Sequence, residues 1–263
     1  MGKTIGIVSL KGGVGKTSSV VALGDALSGF GKKVLLVDAN FSAPNLGIHL
    51  NLINLQNTLH EVLVGESNIS NAVVNLDNFD VLPSRVFSNF QFSPLKLKDK
   101  LRSLKDKYDI VLIDSSPALN QETLAAMLAS DELFVVATPD YPTMAMTLKA
   151  IKLAKQRGIQ INGLILNKAY NRNFEISVDD VEETLEIPVL AVVPHDISVL
   201  KSLNKFEPLT KRNSEAGEEY KKLAASLIGV EYKPIKVRNF FKWLKPKKQD
   251  INRTIFYEGV WKN

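Results

Sequence analysis

Consecutive apolar residues, many of them β-branched, recur in short blocks: TIGIVSL at 4–10, KVLLVDA at 33–39, FDVLP at 79–83, DIVLIDS at 109–115, LFVVAT at 133–138, INGLILN at 161–167 and VLAVVP at 189–194. Most are apolar at neighbouring positions instead of alternating with polar ones. That is the pattern of strands covered on both faces, as in a parallel sheet. Helical periodicity fills most of the gaps, most clearly at 16–29, 94–107, 121–130, 143–157 and 177–185, and helices at 197–204 and 214–228 follow the last block. This alternation predicts an α/β fold, a doubly wound and mostly parallel sheet flanked by helices. There is no internal repeat, and no linker before about residue 230.

Beyond that point the character changes. Residues 233–248, KPIKVRNFFKWLKPKK, hold seven Lys and Arg and no acid, and Pro234 marks the end of the globular pattern. Without those seven, 26 bases face 28 acids, so the net charge of +5 belongs to one short segment and the body is mildly acidic. A protein that grips nucleic acid over its whole surface would spread its basic residues more widely. Within 237–245, Val237, Phe240, Phe241 and Leu244 fall on one helical face, with Arg238, Lys242 and Lys245 opposite and Trp243 at the flank. Large apolar residues backed by basic ones are the composition of a helix lying in a membrane surface. Packing on the chain's own body or on a partner is the alternative for such a helix. The final stretch, 249–263, mixes polar and aromatic residues without clear periodicity. The expected organisation is therefore 1–230 as the main domain, 231–248 as a basic amphipathic segment and 249–263 as a tail of unknown role.

Composition removes several classes. The chain has no cysteine, which excludes disulfides, thiolate metal sites and iron–sulfur clusters and fits a reducing compartment. No apolar run reaches the length of a membrane span. The N-terminus runs directly into a glycine loop and does not read as a signal peptide. His49, His60 and His195 lack ligand spacing and read as surface or packing residues.

The chemistry-bearing stretch is VSLKGGVGKTSS, 8–19, between the first strand and the first helix. Gly12, Gly13 and Gly15 let backbone N–H groups turn inward on phosphate oxygens, with Val14 between them. The helix beginning near Lys16 adds its positive end, and Ser18 lies in its first turn. Lys16 is placed to reach the β- and γ-phosphates, and Thr17 to ligate Mg²⁺. An acid ending a buried strand supports that metal in such sites, and Asp114 is so placed. The usual spacing of such a loop would put glycine at position 10, where this chain has Leu10, and it carries an extra lysine, Lys11.

That departure resembles the deviant Walker A motif, K-G-G-x-G-K-[ST], of the MinD/ParA family of P-loop ATPases. The likeness continues over roughly 1–230, closest to the MinD branch. VLLVDANFSAPNLG (34–47) is similar to the family's switch I and DIVLIDSSPAL (109–119) to its switch II. The resemblance implies ATP and Mg²⁺ as ligands and an ATP-dependent homodimer in which Lys11 reaches the phosphates of the partner chain. It makes Asn167 the reader of the adenine base, with Pro194 and Asp196 in the segment closing over it. The family usually has two aspartates in switch I, the second of which helps to position the attacking water. Here Asp38 is followed by Asn40, an amide that can hold water but not accept its proton. The expected enzyme is an ATP hydrolase, slow or stimulated by a partner.

The basic segment is similar to the C-terminal membrane-targeting helix of the MinD branch. It implies an anionic membrane surface as partner, with a protein regulator or cargo. The expected location is cytoplasmic, reversibly peripheral on the inner face of the cell membrane. The expected function is an ATPase that cycles between cytoplasm and membrane to position a division, motility or sensory structure. The alternatives are a ParA-like partition ATPase on non-specific DNA, for which Lys201, Lys205, Lys211 and Arg212 could form a patch, or a nucleotide switch that Asn40 has deprived of hydrolysis.

Overall fold

The computed structural model of the chain describes residues 2–87, 90–233 and 247–261; the expected amphipathic helix at 237–245 lies outside them. Eight strands form one sheet: β1 (Lys3–Val8), β2 (Val34–Ala39), β3 (Val74–Asn75), β4 (Asp80–Leu82), β5 (Ile110–Ser115), β6 (Glu132–Ala137), β7 (Gln160–Ala169) and β8 (Val189–Pro194). Their order is β3-β4-β2-β5-β1-β6-β7-β8. All pairings are parallel except that of β3 with β4. The helices are α1 (Lys16–Gly29), α2 (Leu46–His49), α3 (Leu59–Val64), α4 (Ile69–Ala72), α5 (Leu97–Arg102), α6 (Gln121–Ala129), α7 (Tyr141–Gln156), α8 (Val178–Leu185), α9 (Ile197–Leu203), α10 (Glu215–Ile228) and α11 (Lys248–Trp261).

The apolar blocks are buried on both faces because neighbouring residues of a strand point to opposite sides. Leu36, Leu112 and Phe134 join Val20, Leu23, Tyr220 and Leu223 beneath α1 and α10. Leu35, Val37, Val111 and Ile113 join the opposite layer, with Leu59, Leu63 and Leu101. On that same side Leu133, Val135 and Leu164 pack with Met144, Ile151 and Val181. The chain leaves β1 at the centre of the sheet, between β5 and β6. That is the switch point at which the carboxyl ends of parallel strands open a crevice.

Three regions depart from the sequence-based reading. The helix expected at 94–107 is a 3-10 turn at Pro94–Lys96 followed by the six residues of α5. The short helices α2, α3 and α4 were invisible because four to six residues cannot establish a period. The tail without clear periodicity contains α11. Its inward face carries polar residues, which hides the helical repeat from a reading of apolar positions. Gln249 and Arg253 are buried, and Phe256 packs against the core. Asn252 Nδ2 donates to the Val189 carbonyl at 2.8 Å, and Arg253 Nη1 to that of Leu190 at 2.9 Å. β8 is the outer strand, and α11 covers carbonyls that an edge strand would otherwise leave open. No helix among the described residues is long and apolar enough to cross a membrane.

Candidate nucleotide site

The loop from Ser9 to Gly15 joins β1 to α1 at the crevice. Gly13 and Gly15 have φ of 77° and 93°, the left-handed region that favours glycine. A methyl group on Gly12 or Gly13 would meet nothing within 4 Å, so both face open space. Gly15 has no side chain with which to cap α1. The first N–H groups of the helix, which have no acceptor within it, are left for a ligand. The end of β7 grips the loop from its other side. Asn167 Nδ2 donates to the Val14 carbonyl at 2.7 Å, and Lys168 Nζ to that of Gly13 at 2.7 Å. Asn167 sits so close to Gly15 that a Cβ there would collide with its amide.

Asp114, fully buried at the end of β5, gathers the groups at the start of α1. Lys16 Nζ lies 2.6 Å from Asp114 Oδ1 and also donates to the Ser115 carbonyl. The Thr17 hydroxyl donates to Asp114 Oδ2 at 2.7 Å. Ser18 Oγ lies 3.5 Å from His49 Nε2. An open glycine cradle above a lysine, a hydroxyl and a carboxylate fits a phosphate with Mg²⁺. Among the described residues no group of three or more His, Asp or Glu could hold a metal. Mg²⁺ here would take Thr17 and Asp114 together with phosphate oxygens and water, its usual mixed shell.

Asp38, next to last in β2, lies directly opposite Asp114 of β5. Its Oδ1 accepts from the Asn40 N–H at 3.1 Å, and its Oδ2 from those of Asn45 and Leu46 at 3.1 and 3.0 Å. Asp38 therefore staples the loop 40–45 to the sheet. Burial, and then the charge of Asp114, push its carboxyl well above the usual range; the backbone N–H groups and Lys16 pull it back. Asn40 turns its amide onto the Ala43 carbonyl, Nδ2 to O 2.5 Å, while its buried Oδ1 has no hydrogen-bond partner.

Lys11 lies apart from this cluster. Its Nζ donates to Thr143 Oγ1 at 2.7 Å and meets Asp140 Oδ1 at 3.1 Å. Asp140 caps α7 by accepting from the Thr143 N–H at 2.9 Å. Burial would raise its carboxyl, but hydrogen bonds from Thr138, Thr143 and Lys11 outweigh it and hold the group down at about 2.

Pro194 pairs with Ala169 at the ends of β8 and β7, beside Asn167. Asp196 caps α9, accepting from the Ser198 N–H at 2.7 Å. Next to them the rings of Tyr170 and His195 stack with centroids 4.7 Å apart.

The structure thus brings Gly12, Gly13, Val14, Gly15, Lys16, Thr17, Asp114 and Asn167 together and sets Asp38 and Asn40 in the adjoining loop. Pro194 and Asp196 lie beyond Asn167, and Lys11 faces away on α7. The sequence reading missed Asp140 and Thr143, which hold Lys11, and Lys168, which holds the loop. The D-Y-P-T run at 140–143 is a helix-start signal that could have marked the first two. Nothing in the sequence pairs them with a residue about 130 positions earlier.

A family model described as an AAA domain matches residues 2–162. The septum site-determining protein MinD of Synechocystis is 32% identical over 88% of this chain and 91% of its own length. Among solved structures, the cell division ATPase MinD of Pyrococcus furiosus is 34% identical, with a TM-score of 0.83 over 87% of this chain and 99% of that one. MinD of Pyrococcus horikoshii, solved with Mg-ADP, is 32% identical, with a TM-score of 0.82 over 86% and 96%. With the glycine cradle, the lysine–threonine pair on Asp114 and this likeness along most of its length, the chain belongs to the MinD/ParA family of P-loop ATPases.

Proposed function

We propose that this protein binds ATP with Mg²⁺, dimerises around it, and hydrolyses it slowly or on contact with a partner. In this reading it cycles between the cytoplasm and the inner face of the membrane to position a cellular structure. The observation that carries the proposal is the separation of the two loop lysines. Lys16 is buried on Asp114, whereas Lys11 is held on the accessible N-terminus of α7, its side chain 41% exposed. A cation on that face would pass from Asp140 and Thr143 to phosphates bound by a second copy. Charge neutralisation then depends on pairing, as with an arginine finger.

The groups divide the work. Backbone N–H groups of the loop and the first turn of α1 would receive the phosphates. Lys16 would exchange Asp114 for the β- and γ-phosphates, and Thr17 and Asp114 would hold Mg²⁺. The metal's contribution, when bound, is to neutralise charge on the phosphate oxygens. Asn167, beside Gly15, would meet the base. Asp38 would keep the loop 40–45 in place beside the reacting phosphate.

Membrane attachment is proposed for 237–245, on the sequence alone. A single short helix binds weakly, and two carried by one dimer gain through effective concentration. At the candidate patch of the DNA-binding alternative, Lys201, Lys205 and Lys211 are exposed, and among the described residues the Arg212 side chain alone of the four is engaged. There Arg212 is occupied by Ser202 at 2.8 Å, the Lys201 carbonyl at 3.1 Å and Glu207 at 3.3 Å.

The test is co-sedimentation of the full chain with vesicles of anionic phospholipid in ATP, ADP and no nucleotide, beside a Phe240→Glu, Phe241→Glu variant. Sedimentation of the parent in ATP only, lost in the variant while its ATP-dependent dimer survives in the ultracentrifuge, is the expected result. Equal sedimentation of parent and variant, or a nucleotide-dependent DNA gel shift without lipid binding, would overturn the membrane reading.

A further inference from the structure

Among the described residues, two carboxylates hydrogen-bond to the loop 40–45, and they are engaged very differently. Asp38 spends both oxygens on the backbone N–H groups of Asn40 and Asn45 in that loop and of Leu46 at the start of α2. The other is Glu122, in the first turn of α6, which accepts from the Ser42 hydroxyl through Oε1. Its second oxygen, Oε2, is buried and has no hydrogen-bond partner. Asn40, two residues before Ser42, likewise has a buried oxygen without a partner. A buried acceptor without a donor is costly, and two around one short loop call for an explanation. Asp114 is committed elsewhere, to Lys16 and Thr17 here and to Mg²⁺ in the proposed nucleotide complex.

We infer that Glu122 is the carboxylate that positions water at the loop 40–45, acting from α6 in a place where Asn40 can offer only an amide. Ser42 ties Glu122 to the loop and holds the carboxylate beside it. The Oε2 of Glu122 and the Oδ1 of Asn40 are both left as acceptors, and in this account Glu122 takes a hydrogen of the attacking water. In the hydrolysis that water's oxygen bonds to the γ-phosphorus as the bond to the β–γ bridging oxygen breaks. ADP leaves with the bonding pair, one proton stays on the phosphate and the other passes to bulk water. Glu122 is a positioning residue in this account.

The inference rests on the proposed ATP hydrolysis, and two variants separate the two. Glu122→Gln keeps the shape and a hydrogen-bond partner for Ser42 but removes the charge. The expected result is at least a tenfold loss in single-turnover hydrolysis, ATP affinity within threefold of the parent, and a correspondingly longer-lived ATP dimer by light scattering. Adding Asn40→Asp should restore most of the lost rate by returning a carboxylate to the loop. If Glu122→Gln turns over like the parent, or the double variant stays as slow as the single one with ATP still bound, the role of Glu122 is overturned while the ATPase reading stands. A parent that binds ATP yet never hydrolyses it, with lipid present, overturns both.

Discussion

Arg253 of α11 and Glu219 of α10 meet at 3.0 Å with both side chains buried. The guanidinium also serves the Leu190 carbonyl of β8 and Asp250 on its own helix. One residue therefore joins the last described helix, its neighbour and the outer strand. Breaking a buried pair usually costs about 3–5 kcal/mol, because the survivor keeps an uncompensated charge. Here α11 can leave the surface instead, and Glu219 retains Lys222 at 2.8 Å. Arg253→Ala is therefore expected to free α11 locally, at about 3 kcal/mol or less. Hydrogen exchange should accelerate in 248–261 and stay unchanged in β1 and β5. Uniform acceleration across the sheet would contradict this.

Lys11 and Asp140 offer a second test. If Asp140 holds the lysine in the unpaired chain, Asp140→Asn should release it and favour the ATP dimer. The pair is partly exposed, so the gain is modest, about two- to fivefold in the concentration needed for dimer. Analytical ultracentrifugation in ATP reads it; a weaker dimer would instead mean that Asp140 is needed across the interface. The contact is no pH switch. Asp140 is held down from 3.8 to about 2, so its stabilisation is complete above the unfolded value and is lost only as pH falls through about 2.

His60 is one group through which pH should act, with Asp38, whose carboxyl is raised to about 7, acting in the opposite direction. The histidine is buried among Phe41 and Phe92, and its Nδ1 accepts from the Arg85 N–H at 3.0 Å. Burial lowers its pKa below 6.5, against the opposing charge of Glu61. The unfolded chain therefore takes up this proton first. Stability is complete above 6.5 and falls as pH drops from there towards the folded value. Thermal melts from about pH 7.5 to about pH 5.5 should show a smaller decline in His60→Asn than in the parent. Parallel declines would exclude His60 as the source.

The phosphate cradle was legible because its parts are contiguous: strand, glycines, Lys16 and Thr17 lie within one short stretch. Asp114 was legible as a polar residue closing an apolar block. The partners of Lys11 were not, because contact with Asp140 depends on β1 and β6 being neighbours in the sheet. Glu122 was passed over because an acid in the first turn of a helix is ordinary, and only burial distinguishes this one. α11 was hidden because polar side chains do its packing. The two-residue strand β3 has no signature at all.

The shielding of β8 by α11 has an order in time. During synthesis, residues 189–194 leave the ribosome while 248–261 are still unmade, so the nascent molecule passes through a stage with a naked strand margin. A chain cut at residue 230 would stay at that stage for life, its uncovered carbonyls ready to recruit a stranger's backbone.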